Sequence, residues 1–331
     1  MLLPGARGPL TELLFSNLVT EPHAWRTPLT FDGDPLSGDD FHLALYCCYE
    51  LHYRGFDDVD ERWEWNPSLL AFRAALEERF EAALFGAVDR DAGSSSVTAH
   101  LIELAGSDGG PSLARYLETR GTAAQFIEFM IHRSAYQLKE ADPHSWAIPR
   151  LEGPPKAALL EIQTDEYGGG DPERIHAVLF ARSMGAVGLD ASYGAYLDAL
   201  PGATLATVNL MSFFGLHRRW RGAIVGHLAL FEMTSTEPNR RYGNGLRRLG
   251  FGEDATFFFD EHVEADSVHE QIAAHDLGGG LARQDPTLTA DIIFGARSLL
   301  FLEDRWTRHL LDSWSSDRSS LLGSDRVPLR A

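Results

Sequence analysis

The chain has 331 residues, 44% of them hydrophobic, and a formal net charge of −19. This length exceeds one small domain, and the negative charge disfavours nucleic acid and anionic lipid as partners. The sequence has no apolar run long enough to span a membrane and no secretory signal pattern at its start. The only cysteines, Cys47 and Cys48, are adjacent, so we expect them to be reduced and the protein to be cytoplasmic.

Hydrophobic spacing predicts helices along nearly the whole chain, without the alternation of half-buried strands. In chain order, helices are predicted at residues 37–54 (with Ser37 as the cap), 67–88, 122–141, 154–167, 172–184, 201–215, 219–235, 253–276 and 286–314. Gly/Ser-rich stretches at 93–96 and 106–110 indicate a boundary. We therefore predict an all-α protein: an N-terminal helical arm (1–115), a bundle of about seven helices (116–315) and a frayed polar tail (316–331).

One segment places three metal-binding side-chain types on a single helix face. His262, Asp266 and His269 are separated by four and then three residues, and these offsets coincide on an α-helix. Two imidazoles and a carboxylate would supply much of a coordination shell for iron. Alone, such a triplet is more often solvated or hydrogen-bonded than bound to metal.

Further candidate ligands lie upstream of the triplet. Glu140 is late in the predicted helix 122–141, and Glu166 is at the end of the next helix. Asp171 is placed to cap the following helix, which would carry His176 inward. Glu232 lies in an otherwise apolar helix, where a carboxylate is costly unless it is paired or bound to metal. Bundles that hold two irons use inward carboxylates and histidines from several helices.

Each candidate also has a plain structural interpretation. Glu140 could be a surface acid, and His176 a hydrogen-bonded core histidine. Glu232 could pair with a buried arginine from the run that contains Arg218, Arg219 and Arg221. At the end of the helix 154–167, Glu161, Asp165 and Glu166 remain alternatives on the residues alone.

The chain resembles the heme-oxygenase-like diiron oxidases and oxygenases, which are also described as iron-containing redox enzymes. The resemblance covers about Phe126 to Trp314 and includes the segment His144–Arg150, which flanks the candidate ligands. It depends on a spaced set of residues: Glu140, then Glu166-x9-His176, then Glu232, then His262-x3-Asp266-x2-His269. It selects Glu166 over its acidic neighbours. It implies a seven-helix bundle in which these seven residues bind two irons.

The resemblance also implies an activity. Two ferrous ions would activate O2 with electrons from an external donor, to oxidise a small amine- or amino-acid-like metabolite. N-oxygenation, desaturation and C–C cleavage all remain open as outcomes. The alternatives are a thiaminase-like or haem-handling enzyme on the same bundle and a non-catalytic helical interaction protein. A thiaminase-like site needs a cysteine in the pocket, but Cys47 and Cys48 lie in the arm.

Arg133 is the candidate substrate anchor. It precedes Glu140 by seven residues, so the two side chains emerge on nearly one helix face about 10 Å apart. A guanidinium fork there could hold a substrate carboxylate. The alternative is that Arg133 pairs with an internal acid such as Glu128 or Asp142.

The N-terminal arm is the candidate contact surface of a homodimer. It is rich in aromatic residues, and exposed apolar patches usually mark contacts. These residues are Tyr46, Tyr49, Tyr53, Trp63 and Trp65. The alternative is that the rings pack on their own bundle.

Overall fold

The computed structural model describes residues 1–26, 33–107 and 110–323. In these ranges the chain is helical and has no β-strand, which confirms the all-α prediction. No described helix is both long and apolar enough to cross a membrane. The α-helices are α1 Pro9–Leu18, α2 Asp39–Glu50, α3 Pro67–Ala87, α4 Val97–Ala105, α5 Leu113–Thr119, α6 Ala123–Gln137, α7 Asp142–Ser145, α8 Gly153–Glu166, α9 His176–Ala186, α10 Gly202–Leu216, α11 Arg221–Met233, α12 Thr236–Arg248, α13 Glu253–Gln271, α14 Gly279–Gln284 and α15 Thr289–Ser315.

The centre of the bundle is a close crossing of α11 and α15, which form its most extensive helix pair. A Cβ atom at Gly226 would overlap the backbone carbonyl of Ile292, and one at Gly295 would overlap that of Ala223. The two backbones therefore touch at this crossing, and only glycine fits there. Around this pair, α13 packs against α9 and α12. A π-helical segment, Ile272–Gly278, connects α13 to α14 and packs on α8.

Two helices have other bounds than predicted, and both differences concern candidate ligands. The helix predicted at 122–141 ends at Gln137, and the chain then turns through Ala141, whose φ is 72°. Glu140 consequently lies in a turn rather than in a helix. The helix predicted from residue 172 begins only at His176, because Asp171 caps a separate 3-10 turn, Pro172–Arg174. Helices α1, α4, α5, α7, α12 and α14 were not predicted.

The N-terminal segment packs on the bundle. Helix α2 lies against α10, and α4 against α11 and α15. Tyr46, Tyr49 and Trp63 are buried within this chain, whereas Trp65 is 64% exposed. These three rings pack within their own chain: Tyr46 lies beside Lys139 of the bundle, whereas Trp63 packs on Trp25 within the N-terminal segment. The boundary near residue 116 and the homodimer stay predictions.

The predicted fraying of the tail is wrong for residues 316–323. Ser320 is buried, and its backbone N–H and its hydroxyl both donate to the Glu128 carboxylate. The backbone N–H of Leu322 donates to the carbonyl of Ala199. These bonds hold the segment against α6 and the residues before α10. Residues 324–331 lie outside the described ranges.

A buried ion pair connects the N-terminal segment to the turn that carries Glu140. The Lys139 ammonium lies 2.9 Å from the Glu50 carboxylate, and both side chains are almost fully buried. The Tyr193 hydroxyl lies 2.8 Å from each Glu50 oxygen. Such a pair gives little net stability over an apolar equivalent, but removing one partner leaves an uncompensated buried charge.

We predict that Lys139→Met lowers the free energy of unfolding by about 3–5 kcal/mol, because the buried Glu50 carboxyl would lose its cationic partner. The double variant Glu50→Gln, Lys139→Met should recover part of that loss. Urea unfolding measures both changes. Arg240→Gln, in an exposed pair with Glu237, is the matched control and should change stability by less than about 1 kcal/mol. A Lys139→Met effect as small as the control's would contradict this account.

Candidate metal centre

Six of the seven predicted ligands are buried together in the bundle. They come from five places in the chain: the turn after α6, the end of α8, the start of α9, and helices α11 and α13. The six are Glu140, Glu166, His176, Glu232, His262 and His269. The seventh, Asp266, belongs to α13, but its side chain lies outside the described residues. The structure thus brings together residues more than a hundred positions apart.

A first group of four side chains could hold one ion. Ligand atoms of Glu140, Glu166, His176 and His262 all lie within 4.8 Å of one another. The Glu166 Oε2 atom is 2.9 Å from His176 Nδ1. His262 donates from Nδ1 to the Phe258 carbonyl at 2.8 Å, which leaves the Nε2 lone pair on the side of Glu140. That Nε2 lies 3.6 Å from Glu140 Oε1, a separation longer than a good hydrogen bond.

A second group lies beside the first and shares a residue with it. Atoms of Glu166, Glu232 and His269 also lie within 4.8 Å of one another. His269 Nδ1 is 3.2 Å from Glu232 Oε2. Because Glu166 belongs to both groups, one carboxylate lies between two candidate ion positions.

Burial determines the electrostatics of these groups. Desolvation raises the pKa of Glu140 and of Glu232, since a carboxylate loses its hydration in the bundle. Burial alone would lower the pKa of His269, but hydrogen bonds with Glu232 and Asp165 outweigh it and raise the pKa to about 9. A cation between the carboxylates would replace the lost hydration and compete with these protons.

The donor set fits iron. Three carboxylates and three imidazoles are the ligand types that non-haem iron sites use. The Glu140 Oε2 atom is buried and has no hydrogen-bond partner in the described ranges. A buried carboxylate oxygen without a partner costs free energy that a bound cation would recover.

The plain alternatives for Glu140 and Glu232 do not match their surroundings, whereas His176 is buried beside Glu166 as a hydrogen-bonded core histidine would be. Glu140 is buried, not a surface acid. Glu232 faces His269, whereas two of the candidate arginines pair elsewhere: Arg219 with Glu81 and Arg221 with Asp285. A non-catalytic interaction protein would have left these acids and histidines facing solvent.

Asp165 has a role that the sequence analysis missed. It was considered only as a competitor of Glu166 for the metal. Its side chain is 58% exposed, and its Oδ2 atom lies 2.9 Å from His269 Nε2. If a cation displaces the Nδ1 proton, this acceptor keeps the remaining proton of His269 on Nε2 and leaves the Nδ1 lone pair for the ion. Asp165 thus positions a candidate ligand, while the neighbouring Glu166 lies inside the cluster.

The candidate anchor, Arg133, pairs with an internal acid that was not among the predicted ones. Its guanidinium makes a two-pronged contact with Glu303, at 3.0 and 2.9 Å, and lies 4.0 Å from the ring centre of Trp306. Of the predicted partners, Glu128 instead accepts from Trp314 and Asp142 from Tyr167.

A cavity of about 410 Å³ lies against the candidate ligands. Arg133, Gln137 and Glu140 line it from α6 and the turn that follows. The buried Oε1 atom of Gln137 has no hydrogen-bond partner among the residues described. Much of the remaining wall is aromatic: Phe129, Phe180, Phe231, Tyr242, Phe259 and Trp306. The cavity can thus enclose a small molecule between a charged wall and Glu140.

The two cysteines do not offer a nucleophile to this cavity. Cys47 and Cys48 are buried in α2. Burial raises the pKa of the Cys48 thiol to about 12 and that of Cys47 well above its usual range. Both therefore stay protonated, and a thiaminase-like site is not present at these residues.

The fold is a helical bundle, and its buried ligand cluster could hold a metal ion. A sequence profile of the iron-containing redox enzymes matches residues 127–304, more than half of the chain and all six clustered residues. The chain belongs to the iron-containing redox enzyme family.

The chain is similar to one protein in sequence and to another in fold. It is 25% identical over 230 residues to a nitrosourea synthase from Streptomyces achromogenes subsp. streptozoticus, a match that covers 66% of this chain. The chain spans about half of that relative, 49% of its length. Its fold is similar to the crystal structure of a CADD-like protein of unknown function from Nostoc punctiforme, with a TM-score of 0.51 and 17% identity. That similarity covers 65% of this chain and 97% of the other.

We predict that Glu166→Gln removes most bound iron, because Glu166 belongs to both ligand groups. Asp165→Asn should keep the full iron content but weaken affinity by roughly 10–100-fold, because it only orients His269. Iron per chain after anaerobic loading, followed by titration with a chelator, measures both. Equal iron retention by Glu166→Gln and Asp165→Asn would reject the assignment.

We predict that His262→Ala and His269→Ala each lower iron loading while helix content stays near wild type. The same loss is expected for Asp266→Ala, the third member of the triplet. His275→Ala is the matched control, because His275 is exposed in the π-helical segment just after α13. Metal analysis and circular dichroism give the two readouts. Full loading of either histidine variant would argue against that residue as a ligand.

Proposed function

We propose that the protein is a non-haem diiron oxidase or oxygenase that uses O2 and electrons from an external donor to oxidise a small amine- or amino-acid-like metabolite. The observation that carries this proposal is the position of Glu166 in both ligand groups. Two ions joined by a carboxylate suit the activation of O2. Iron held by Glu140, Glu166, His176, Glu232, His262, His269 and Asp266 would supply the oxidation chemistry, and the protein would supply geometry and a dry cavity.

The cavity supports the substrate part of the proposal. Much of its wall is aromatic, and Arg133, Gln137 and Glu303 also line it. A guanidinium has five N–H donors, so the pair with Glu303 leaves donors on Arg133 for a substrate carboxylate. Glu303 could in turn accept from a substrate ammonium. The Oε1 atom of Gln137 offers a further acceptor between this pair and Glu140.

N-oxygenation is the outcome to test first. The similar nitrosourea synthase is named for a product with oxidised nitrogen, although this chain spans only half of that protein. The experiment is anaerobic loading with ferrous iron, Mössbauer spectroscopy, and O2 uptake with a panel of amino acids and amines. We expect two irons per chain in a coupled pair and O2 uptake that a nitrogen-containing substrate accelerates. A single iron, or co-purified haem, would overturn the proposal.

We predict that Arg133→Gln raises the KM for substrate-triggered O2 uptake roughly 10–100-fold, the effect of losing a charge-assisted hydrogen bond. Iron content should not change, because Arg133 binds Glu303 and forms no ion pair or hydrogen bond with the candidate ligands whose side chains the structure describes. Arg133→Lys should rescue only part of the effect, since it keeps the charge without the fork.

The matched control is Arg241→Gln, which breaks a comparable half-buried pair with Glu118 outside the cavity. Thermal unfolding of both variants separates loss of fold from loss of binding. Unchanged KM in Arg133→Gln would leave Arg133 with a structural role only.

A further inference from the structure

A small cavity beside the candidate ligands contains polar atoms that neither the metal groups nor the substrate wall account for. It has room for about one water molecule, about 10 Å³. Glu140, Glu166, Glu232 and His262 line it, together with His144 and Gln163. We call it the ligand cavity. His144 and Gln163 are not members of either ligand group.

His144 is held by a second buried histidine. Its Nε2 atom lies 3.1 Å from Nδ1 of His227, and both rings are at most 1% exposed. Burial lowers the pKa of His144 to about 3 and that of His227 well below its usual range, so both rings are neutral. The other nitrogen of His144, Nδ1, is buried without a hydrogen-bond partner in the described part of the chain.

Gln163 presents a matching acceptor. Its amide nitrogen donates to the Ala141 carbonyl at 3.0 Å and to the Ser145 hydroxyl at 2.7 Å. These two bonds fix the orientation of the amide. Its Oε1 atom is buried and has no partner within the described ranges. Two residues that line one water-sized cavity thus each have a buried polar atom without a partner among the described residues.

The surrounding charges select the tautomer of the histidine pair. On the side of His144, the ligand cavity contains three glutamates, which favour an N–H directed toward them. On the side of His227, a second small cavity is lined by Arg133, whose charge favours a lone pair, and by its partner Glu303. If the N–H of His144 points toward the glutamates, its Nε2 atom must be an acceptor. His227 then donates from Nδ1 to His144 Nε2. His144 then carries its other proton on Nδ1.

We propose that His144 donates a hydrogen bond from Nδ1 into the ligand cavity, that Gln163 accepts one there, and that His227 fixes the tautomer of His144. The site so formed takes one small molecule that both donates and accepts, and water is the first candidate. The molecule would donate one hydrogen to Gln163 Oε1 and accept from His144 Nδ1, and its other hydrogen would be directed toward the glutamates that line the cavity. The unpaired atoms of His144 and Gln163 would then both be satisfied.

This arrangement adds a proton source to the proposed function, and its role in the reaction rests on that function. Reduction of O2 consumes protons, and a water held beside Glu140 is a proton donor inside an otherwise apolar bundle. His144 and Gln163 are positioning residues in this account, since they act through the molecule they hold. A plain packing role for the histidine pair would require neither a particular tautomer nor a bound water.

The tautomer is tested on the full chain loaded with zinc, by nitrogen NMR of protein labelled in its histidine rings. The signals of His144 are identified by their loss in His144→Asn. We expect the proton on Nδ1 and an acceptor Nε2. A crystal structure of the same protein should show a water within hydrogen-bond distance of both His144 Nδ1 and Gln163 Oε1. A lone pair on Nδ1, or a water that contacts neither residue, would overturn the proposal.

Azide binding to the iron-loaded protein gives a second readout that does not depend on turnover. Azide accepts hydrogen bonds, so His144→Phe, which removes the donor, should weaken its affinity about fivefold, the effect of one hydrogen bond, with iron content unchanged. The control is His132→Phe, at a buried histidine that is bonded to Thr204 and Ser320 and does not line the ligand cavity. Equal azide affinity in wild type and His144→Phe would also overturn the proposal.

The two proposals can fail separately. A chain that takes up no iron would reject the proposed function, and NMR of the purified full chain would still decide the tautomer. If His144→Asn does not fold, Gln163→Met removes the acceptor at similar length, and loss of the bound water in its crystal structure is then the expected result.

Discussion

The cost of removing carboxylates from water is the constraint on which the rest of this structure depends. Glu140, Glu166 and Glu232 are each about 4–6% exposed inside an apolar bundle. Each of them faces a histidine: His262, His176 and His269 respectively. An isolated buried carboxylate would take up a proton instead of remaining charged. Three such pairs brought to one place are better explained by a shared cation than by three separate ion pairs.

The same constraint explains why the supporting contacts are so dense around Glu140. This residue lies in a turn, where its backbone N–H makes a long bond of 3.4 Å to the Gln137 carbonyl. The turn is also held from two sides, by the Glu50–Lys139 pair and by Gln163, which binds the Ala141 carbonyl. The N-terminal segment therefore contributes to the geometry of the site although none of its residues is a candidate ligand.

Spacing along a helix could be inferred from the sequence, whereas contacts between helices could not. The offsets of His262 and His269 and the apolar neighbours of Glu232 depend on local periodicity, and these residues do converge in the structure. The true partner of Arg133 is 170 residues away, so no local pattern indicates Glu303. His144 and His227 are also far apart in the sequence, as are His269 and its acceptor Asp165.

Helix α12 shows the limit of hydrophobic periodicity. Its sequence, residues 236–248, has only two large apolar side chains, Tyr242 and Leu246, and both are buried. Its position depends instead on packing against α5 and α13 and on arginines: Arg241 pairs with Glu118, and Arg248 donates to the carbonyls of Leu117 and Glu118. A helix that is held by long-range polar contacts has few apolar residues from which its position could be predicted.

The crossing of α11 and α15 at Gly226 and Gly295 has a consequence for the evolution of this site. Gly226 is followed by His227 and, six residues later, by Glu232 on the same helix. Adding a single methyl group at Gly226 would push α11 away from the backbone of Ile292. Both functional side chains on that helix would then move together. Lineages that keep the ligands but lose the glycine would need a compensating change in α15, so the two glycines should be inherited jointly with the histidines and carboxylates.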